Sequence, residues 1–583
     1  MKKIMLGNEA VARGLYEAGV RFVSSYPGTP STEISEFAAK YDEIYAEWAP
    51  NEKVALEAAI GASFGGGRAF SGMKHVGLNV AADPLFVTAY TGVGGGLVIG
   101  VADDPGMHSS QNEQDSRHYA IGAKLPMVEP SDAAECKEFT KLAYELSEQF
   151  DTPFILRLTT RVSHSGGAVE LEERRACPLK EYTKDPAKRV MMPGNAKRRH
   201  PVVEQRLEKL AEYAYETPLN RVEMGDTSVG VITAGNCYHY AKEVYGKNAS
   251  YLKLGLIHPL SEKQIREFAA SVDSVVVIEE LDGVIEAFCR SLGIPVTGKD
   301  VLPLCGEYSQ ELLREKLLGE EPAFVSVADE IPVRPPVLCP GCPHRGVFYT
   351  LKKMGLTVSG DIGCYTLGAV APLSAMDTTL CMGASISALH GFNKVRGDAE
   401  KSVAVIGDST FMHSGMTGLV NIIYNGGTST VVILDNRITG MTGHQQNPLT
   451  GLTLKNQPAP YICLEDICAG LGVAREHIRV VDPAYPAELE KVLKEELAAD
   501  APSVVICRRP CALLKGVEKK PPLRVDREKC RSCKACMKIG CPCISMVEGA
   551  DGVKAKVDET MCVGCGLCEQ MCPFDAFAST RAE

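Results

Sequence analysis

Eight cysteines near the end of the chain, Cys530, Cys533, Cys536 and Cys541 and then Cys562, Cys565, Cys568 and Cys572, constrain its folding more than any other feature. Each run closes on a proline, Pro542 and Pro573. The second run reads C-x2-C-x2-C-x3-C-P, the spacing that holds a cubane iron–sulfur cluster, with the fourth thiolate of each run ligating the other run's cluster. That rule groups Cys530, Cys533 and Cys536 with Cys572, and Cys562, Cys565 and Cys568 with Cys541, for two [4Fe–4S] clusters. The first run departs from the pattern because four residues separate Cys536 from Cys541, and Cys543 offers a competing thiol. Cys541 is chosen because a proline follows it. Zinc prefers two separated C-x2-C pairs per tetrahedral site, and a disulfide set suits small secreted chains. Val525-Asp526 before the first run and Val557-Asp558 before the second mark a duplicated βαβ-type unit over residues 520–583.

Such a unit moves single electrons, and the rest of the chain must supply them. Its 583 residues predict roughly three to five domains. The start, MKKIMLGNEA, has no long apolar stretch of the signal-peptide kind, and the apolar region from Leu85 to Val101 is broken by Thr, Tyr and Gly. Together with 22 cysteines outside any secretory context, this predicts a cytoplasmic protein with no membrane partner. A net charge of −11 argues against nucleic acid as a partner.

Apolar, β-rich runs alternate with helical patterns at Phe154 to Leu158, Val229 to Thr233, Ser274 to Ile278, Val403 to Ile406 and Thr430 to Leu434. This is the pattern of an α/β protein with parallel sheets. Residues 166–225 differ: they are rich in charge, with few strand signals, and read as an insertion with a solvated helix. Boundaries are expected at Pro332 to Pro336, where I-P-V-R-P-P breaks regular structure, and near Lys519 to Pro522.

The next specific signal is V-A-V-I-G-D-S-T-F from Val403 to Phe411, followed by V-V-I-L-D-N-R-I-T-G from Val431 to Gly440. Both are buried strands that end in acidic or amide residues, and in a parallel sheet such ends face one crevice. Asp408, the Asn436 amide oxygen and the Ile438 carbonyl supply the oxygen ligands that magnesium prefers.

The pair Gly407-Asp408 with Asn436 28 residues after the aspartate resembles the motif by which thiamine diphosphate enzymes hold magnesium and the cofactor's diphosphate. Ser409 stands where that motif usually has a second glycine. The resemblance implies a glutamate that hydrogen-bonds the aminopyrimidine ring. A-P-N-E-K-V-A-L-E-A-A-I-G fits, with Glu52 and then Gly61 nine positions on, and Glu57 is the rival in the same helix. S-S-Y-P-G-T-P-S-T-E, from Ser24 to Glu33, resembles the Tyr-Pro-x-Thr-Pro signature of the 2-oxoacid:ferredoxin oxidoreductases and implies that Thr29 contacts the substrate carboxylate. L-C-P-G-C-P-H-R-G, from Leu338 to Gly346, and G-D-I-G-C-Y-T, from Gly360 to Thr366, resemble segments of the same family's diphosphate-binding subunit. They imply a place for Cys364 at the cofactor and for His344 and Arg345 at the substrate or the diphosphate. The C-x2-C pair Cys339 and Cys342 also invites a redox or zinc reading, but no second pair with zinc spacing stands near it in sequence.

The resemblance covers nearly the whole chain. It implies two thiamine diphosphate-binding, doubly wound parallel-sheet domains, pyrimidine-binding at 1–165 and diphosphate-binding at 331–518. A transketolase C-terminal-like α/β domain at 226–330 and a two-[4Fe–4S] ferredoxin domain at 519–583 complete it. Within the family, the fused arrangement is similar to the large subunits that act on aryl pyruvates such as indolepyruvate. It implies oxidative decarboxylation with coenzyme A to the aryl-acetyl-coenzyme A and carbon dioxide, electron transfer to ferredoxin, and a separate small beta subunit as partner. The same chemistry on pyruvate, 2-oxoglutarate or a branched oxoacid is the nearest alternative. An electron-transfer protein with vestigial thiamine domains is a third, against which Glu52, Asp408 and Asn436 stand.

Overall fold

A computed structural model describes residues 1–322, 327, 330–332 and 335–580. Val333 and Arg334, inside the expected proline-rich boundary, lie outside the described residues. The chain divides into two compact units, Met1–Ala328 and Asp329–Glu583.

The first unit is built on a seven-stranded sheet in the order Leu256–His258, Met127–Val128, Phe154–Thr159, Leu97–Asp103, Ala69–Lys74, Phe22–Ser25, Tyr45–Trp48. All neighbours run parallel except Leu256–His258, which pairs antiparallel with Met127–Val128. The central strands Leu97–Asp103 and Phe154–Thr159 are buried along their whole length, as parallel strands covered on both faces must be. Helix Ala133–Phe150 starts cleanly because Asp132 caps it, its carboxylate accepting the Glu135 amide at 2.9 Å. A second sheet of four strands holds Val275–Ile278, Gly230–Ala234, Ser250–Leu254 and Arg221–Glu223, the last antiparallel.

The charged stretch 166–225 contains the expected helix, Pro193–Glu216, but one stripe of it is not solvated. Val203, Leu210 and Ala214 are buried, and Arg206 donates to the Asp151 and Ala89 carbonyls. The charge run therefore conceals an amphipathic face. Strand Leu256–His258, in the segment expected to form a separate domain, completes the sheet of the preceding one.

The second unit carries a five-stranded parallel sheet in the order Thr357–Ser359, Ser402–Gly407, Thr430–Asp435, Ser503–Arg508, Ile478–Val481. Alternate residues of each strand point to opposite faces. Val403, Val405, Val432, Leu434 and Val505 pack with Val347 and Leu351 of helix His344–Met354 and with Leu489 and Leu493 of helix Pro486–Leu497. Ala404, Ile406, Val431, Ile433 and Ile506 pack with Ile386 and Leu389 of helix Ala384–Arg396 and with Leu419 and Ile422 of helix Met416–Tyr424. Each such aliphatic side chain contributes ~1.5–3 kcal/mol on burial, so the two cores fix the sheet and with it the ends of its strands. The cysteine-rich segment forms two small antiparallel pairs, Leu523–Val525 with Phe577–Ser579 and Ile544–Val547 with Lys554–Val557. Their side chains close over a core made largely of cysteine, with Ile539, Ile544, Val557 and Phe577. Among the described residues, no helix is long and apolar enough to cross a membrane.

Candidate functional site

In the second unit, the register Gly407↔Leu434 sets the C-terminal ends of two neighbouring strands side by side, so Asp408 and Asn436 leave the same sheet edge. Asp408 is buried; its Oδ1 accepts the Ser409 amide at 2.8 Å, and its Oδ2 is buried with no hydrogen-bond partner. Burial first, and then the charge of Asp435, push its carboxyl up to about 8. Such a group asks for a cation. Asn436 accepts the Ile438 amide at 3.3 Å through a turn whose Arg437 has φ 62°, and the Thr439 hydroxyl donates to that of Ser409 at 2.9 Å. Ser409 lies in the helical turn Asp408–Thr410, a conformation open to any residue, so serine in place of glycine carries no strain. Gly407 has a stricter reason: a Cβ there would stand 2.6 Å from the Tyr365 ring.

Cys364 lies next to this turn, since a Cβ on Gly440 would meet its sulfur at 3.4 Å and the Asn436 amide nitrogen at 3.8 Å. The backbone N–H of Cys511 donates to the Asn436 carbonyl at 3.0 Å. Burial pushes the Cys364 thiol up to about 11, and Cys511 and Cys339 add to the rise; Cys342, up to about 12, senses both Cys364 and Cys339. Four thiols from three distant stretches of sequence thus form one electrostatic group. Sequence distance hides it: no second C-x2-C pair stands near Cys339 and Cys342, and Cys364 and Cys511 join them from elsewhere in the chain. The His444 ring nitrogen Nε2 stands 3.8 Å from the Cys511 sulfur.

The octet divides between two cavities. One, of about 330 Å³, is lined by Cys530, Cys533, Cys536 and Cys572. The other, of about 450 Å³, is lined by Cys541, Cys543, Cys562, Cys565 and Cys568, and also by Gly341, Cys342 and Arg345. Cys565 and Cys568 both sense Cys541, whereas burial and then Cys541 raise Cys543 to about 12. Backbone N–H groups already address the sulfurs, Gly564 to Cys562 at 3.5 Å and Ala576 to Cys572 at 3.4 Å.

His344 and Arg345, expected at the substrate or the diphosphate, are both buried. His344 is buried edge-on against Tyr365, with centroids 6.0 Å apart, and burial holds its ring down to about 4, so it is neutral at physiological pH. The Arg345 guanidinium donates to four backbone carbonyls: Leu338, Cys339 at 3.3 Å, Ile539 at 3.0 Å and Gly540. It ties the Cys339–Cys342 loop to the first thiol run, between Cys339 and Cys342 on one side and Cys541 and Cys565 on the other. Neither residue offers an uncommitted positive charge to a carboxylate.

In the first unit, Glu52 opens helix Glu52–Phe64, capped by Asn51, whose side chain accepts the Val54 amide at 2.9 Å. Glu52 is buried, and Gly77 makes room for it: a Cβ there would lie 2.6 Å from Oε1. Glu57 is exposed and paired with Lys53. Around Gly61 a Cβ would meet nothing within 4 Å. Thr29 is half-buried in the loop leaving strand Phe22–Ser25, where its carbonyl accepts the Ser109 hydroxyl at 3.5 Å. Sequence reading passed over Lys74 and His75, which lie at the end of the adjacent strand; a lysine closing a strand has no motif to announce it.

The family model described as pyruvate flavodoxin/ferredoxin oxidoreductase, thiamine diphosphate-binding, matches residues 13–220. That of the thiamine pyrophosphate enzyme C-terminal TPP-binding domain matches 361–507, and that of the 4Fe-4S binding domain 555–578. An indolepyruvate oxidoreductase subunit IorA of Archaeoglobus fulgidus is 41% identical, over 100% of this chain and 98% of its own length. The same-named subunit of Thermococcus kodakarensis is also 41% identical, over 98% and 96%. A 2-oxoglutarate synthase subunit KorA of Archaeoglobus fulgidus is 26% identical, over 52% of this chain and 96% of its own.

Proposed function

This chain belongs to the indolepyruvate oxidoreductase IorA family, and we propose that it converts an aryl pyruvate, indolepyruvate foremost, coenzyme A and two oxidised ferredoxins into the aryl-acetyl-coenzyme A, carbon dioxide, a proton and two reduced ferredoxins. Thiamine diphosphate, when bound, supplies the electron sink for the carboxylate carbon's bond, and iron–sulfur clusters take electrons one at a time. The chain's own residues do the rest. Asp408, the Asn436 amide and the Ile438 carbonyl would hold a magnesium ion with the diphosphate, and Gly407 and Ser409 would shape that turn. The partnerless Oδ2 of Asp408 supports the fit. Glu52, buried in the space Gly77 leaves, would hold the proton at the aminopyrimidine ring.

The observation that carries the reading is the order of thiol groups in the second unit. Cys364 and Cys511 adjoin the Asn436 turn and Cys339 and Cys342 act on Cys364 through space or are acted on by it, Cys541, Cys543, Cys562, Cys565 and Cys568 share a cavity with Cys342, and Cys530, Cys533, Cys536 and Cys572 line the next. We read three cluster sites in series, one more than the octet alone implies, with Arg345 as the brace between the first two. Both Cys541 and Cys543 line the middle site, and Cys541 is taken as its fourth ligand because a proline follows it. The enzyme is a subunit of a larger assembly; a small beta subunit in a heterodimer or a dimer of heterodimers, and a cytoplasmic location, complete the proposal.

The test is anaerobic reduction of ferredoxin by the reconstituted chain with its small partner, across indolepyruvate, phenylpyruvate, pyruvate and 2-oxoglutarate. Coenzyme A-dependent reduction that favours the aryl acids is expected, with about twelve iron atoms per chain. Failure of every oxoacid overturns the reaction, and about eight iron atoms removes the third site.

A further inference from the structure

Strand Ala69–Lys74 lies inside the seven-stranded sheet, and Lys74 is its last residue, at the edge where parallel sheets bind ligands. Two other features named above converge on the same short stretch. A Cβ on Gly28, beside Thr29, would stand 3.2 Å from the Lys74 Cβ, and Gly77, three residues on, cradles the Glu52 carboxylate. Residues 74–77 therefore run from the Thr29 loop to Glu52.

The ammonium of Lys74 is unusual in its company. The residue is 7% exposed, and its Nζ donates to the Ser109 carbonyl at 2.7 Å and more weakly to the Ser109 hydroxyl at 3.4 Å, leaving a third N–H without a partner. The described chain has two other buried lysines, and both hold carboxylates: Lys137 with Glu17 and Glu138, and Lys253 with Glu135. Among the described residues no carboxylate comes within ion-pair distance of Lys74. Asp104 acts on it through space, but the Asp104 oxygens are taken by the Ser109 amide at 2.9 Å, the Ser110 hydroxyl and the Thr160 hydroxyl at 2.7 Å. Burial holds the ammonium down to about 8, which an arriving anion would reverse. Beside it, His75 has Nε2 3.3 Å from the Asn112 carbonyl and a buried Nδ1 with no partner.

A buried cation without a counter-charge persists where a ligand brings one. We propose that Lys74 binds the carboxylate of the 2-oxoacid substrate, with His75 next to it in the chain. The proposal rests on the functional reading above and sets Lys74 beside Thr29, to which the resemblance assigns the carboxylate, in a task that His344 and Arg345 were also expected to fill. It also explains why Thr29 and Glu52 border one segment: the substrate's charged end and the residue assigned to proton handling are set by a single stretch of backbone.

The experiment uses the reconstituted two-subunit enzyme and the variants Lys74→Gln and Lys74→Arg. Loss of a charge-assisted bond predicts a KM for indolepyruvate raised about thirtyfold in K74Q with kcat within about threefold, and substantial recovery in K74R. Calorimetric binding of the unreactive acid indole-3-lactate and of its neutral amide supplies a second readout. The wild type is expected to prefer the acid by at least about tenfold, and K74Q to lose that preference while binding the amide unchanged. An unchanged KM and an unchanged acid-over-amide ratio in K74Q overturn the assignment. If K74Q does not fold, absence of an acid preference in the wild type, or an acid preference in a folded Lys74→Met variant, does so. A wild type that turns over no oxoacid overturns the functional reading instead, and the binding comparison still judges Lys74.

Discussion

The two units differ in the sign of the buried charge that each leaves without a counter-charge. In the first, acids and bases under the sheet neutralise one another: Arg157 holds Asp103 at 2.8 Å and Glu129 at 2.6 Å, and Arg117 holds Asp115 at 2.6 Å and also Glu279. Among the described residues, Lys74 at the sheet edge has no such carboxylate, and Arg206 is met only by the Asp151 and Ala89 carbonyls. In the second, Asp435 is held by Arg508 at 2.7 Å and Arg437 at 3.3 Å, but the Asp408 Oδ2 beside it has no hydrogen-bond partner. Asp408 stands near Asp435, and the thiols of the cysteine-rich segment gather around two cavities, where a metal would find anionic ligands. Paired charges build a fold and are finished; unpaired ones mark where something must arrive, a carboxylate in the first unit and cations in the second.

The comparison breaks most visibly at Asp408. Asp408→Ala should lower ferredoxin reduction by about a thousandfold or more, since an oxygen ligand and its charge both vanish. The same change removes a buried carboxylate whose Oδ2 has no partner, at the loss of the one Ser409 amide bond to Oδ1, so the chain without magnesium and cofactor should melt within a few degrees of wild type. Magnesium with thiamine diphosphate should raise the melting temperature of wild type and not of the variant. A variant that melts much lower without ligand would mean that Asp408 is paired within the chain after all.

Glu52→Gln keeps shape and removes the proton-accepting oxygen. A fall of about a hundredfold to a thousandfold in carbon dioxide release is expected, with the visible iron–sulfur absorbance unchanged. Glu57→Gln, on the solvent side of the same helix, should change the rate less than about twofold. Comparable losses from both would erase the distinction that burial draws between them.

Much of the second unit was legible because metal chemistry imposes local spacing. The spacings within the octet and the strand ends at Asp408 and Asn436 were visible, since each of these motifs is continuous in sequence. The group of Cys339, Cys342, Cys364 and Cys511 was not, because the fold alone brings position 511 to the turn after Asn436. Arg345 shows the converse failure: its charge was visible, but the carbonyls of Ile539 and Gly540 that occupy it were not. In the first unit the helix Pro193–Glu216 was legible, yet its buried stripe was masked by charge. Lys74 was invisible for a deeper reason. What singles it out is the lack of a partner, and a sequence records residues, not the distances between them.

Cys511→Ser sharpens the thiol side. It should remove about four iron atoms per chain and slow ferredoxin reduction about tenfold to a hundredfold, with carbon dioxide release in a single turnover less affected. Cys541→Ser should likewise lose iron, and Cys543→Ser should keep it. Loss of iron from Cys543→Ser with retention in Cys541→Ser would reverse that ligand choice.

The smallest effect tests the cation side without any ligand. The Lys74 ammonium is held down to about 8 in the folded chain, first by burial and against the pull of Asp104, and recovers an ordinary lysine value near 10.4 on unfolding. Between those values the unfolded state binds more protons than the native one, so stability rises with pH across that window. Below about 8 both states carry the charge and the native state bears its full burial cost. Other groups titrate over the same range, and His75 beside it adds its own repulsion below neutrality; the difference between wild type and K74Q isolates the lysine. Urea unfolding of the ligand-free enzyme should show K74Q gaining on wild type by ~1–2 kcal/mol at pH 7.5, with the gap closing by pH 10. Saturating indole-3-lactate should close it at pH 7.5 as well, because the carboxylate then supplies the counter-charge that the first unit provides for its other buried lysines. A gap that is independent of pH would mean that Lys74 is neutralised within the fold, and the contrast between the two units would lose its cationic half.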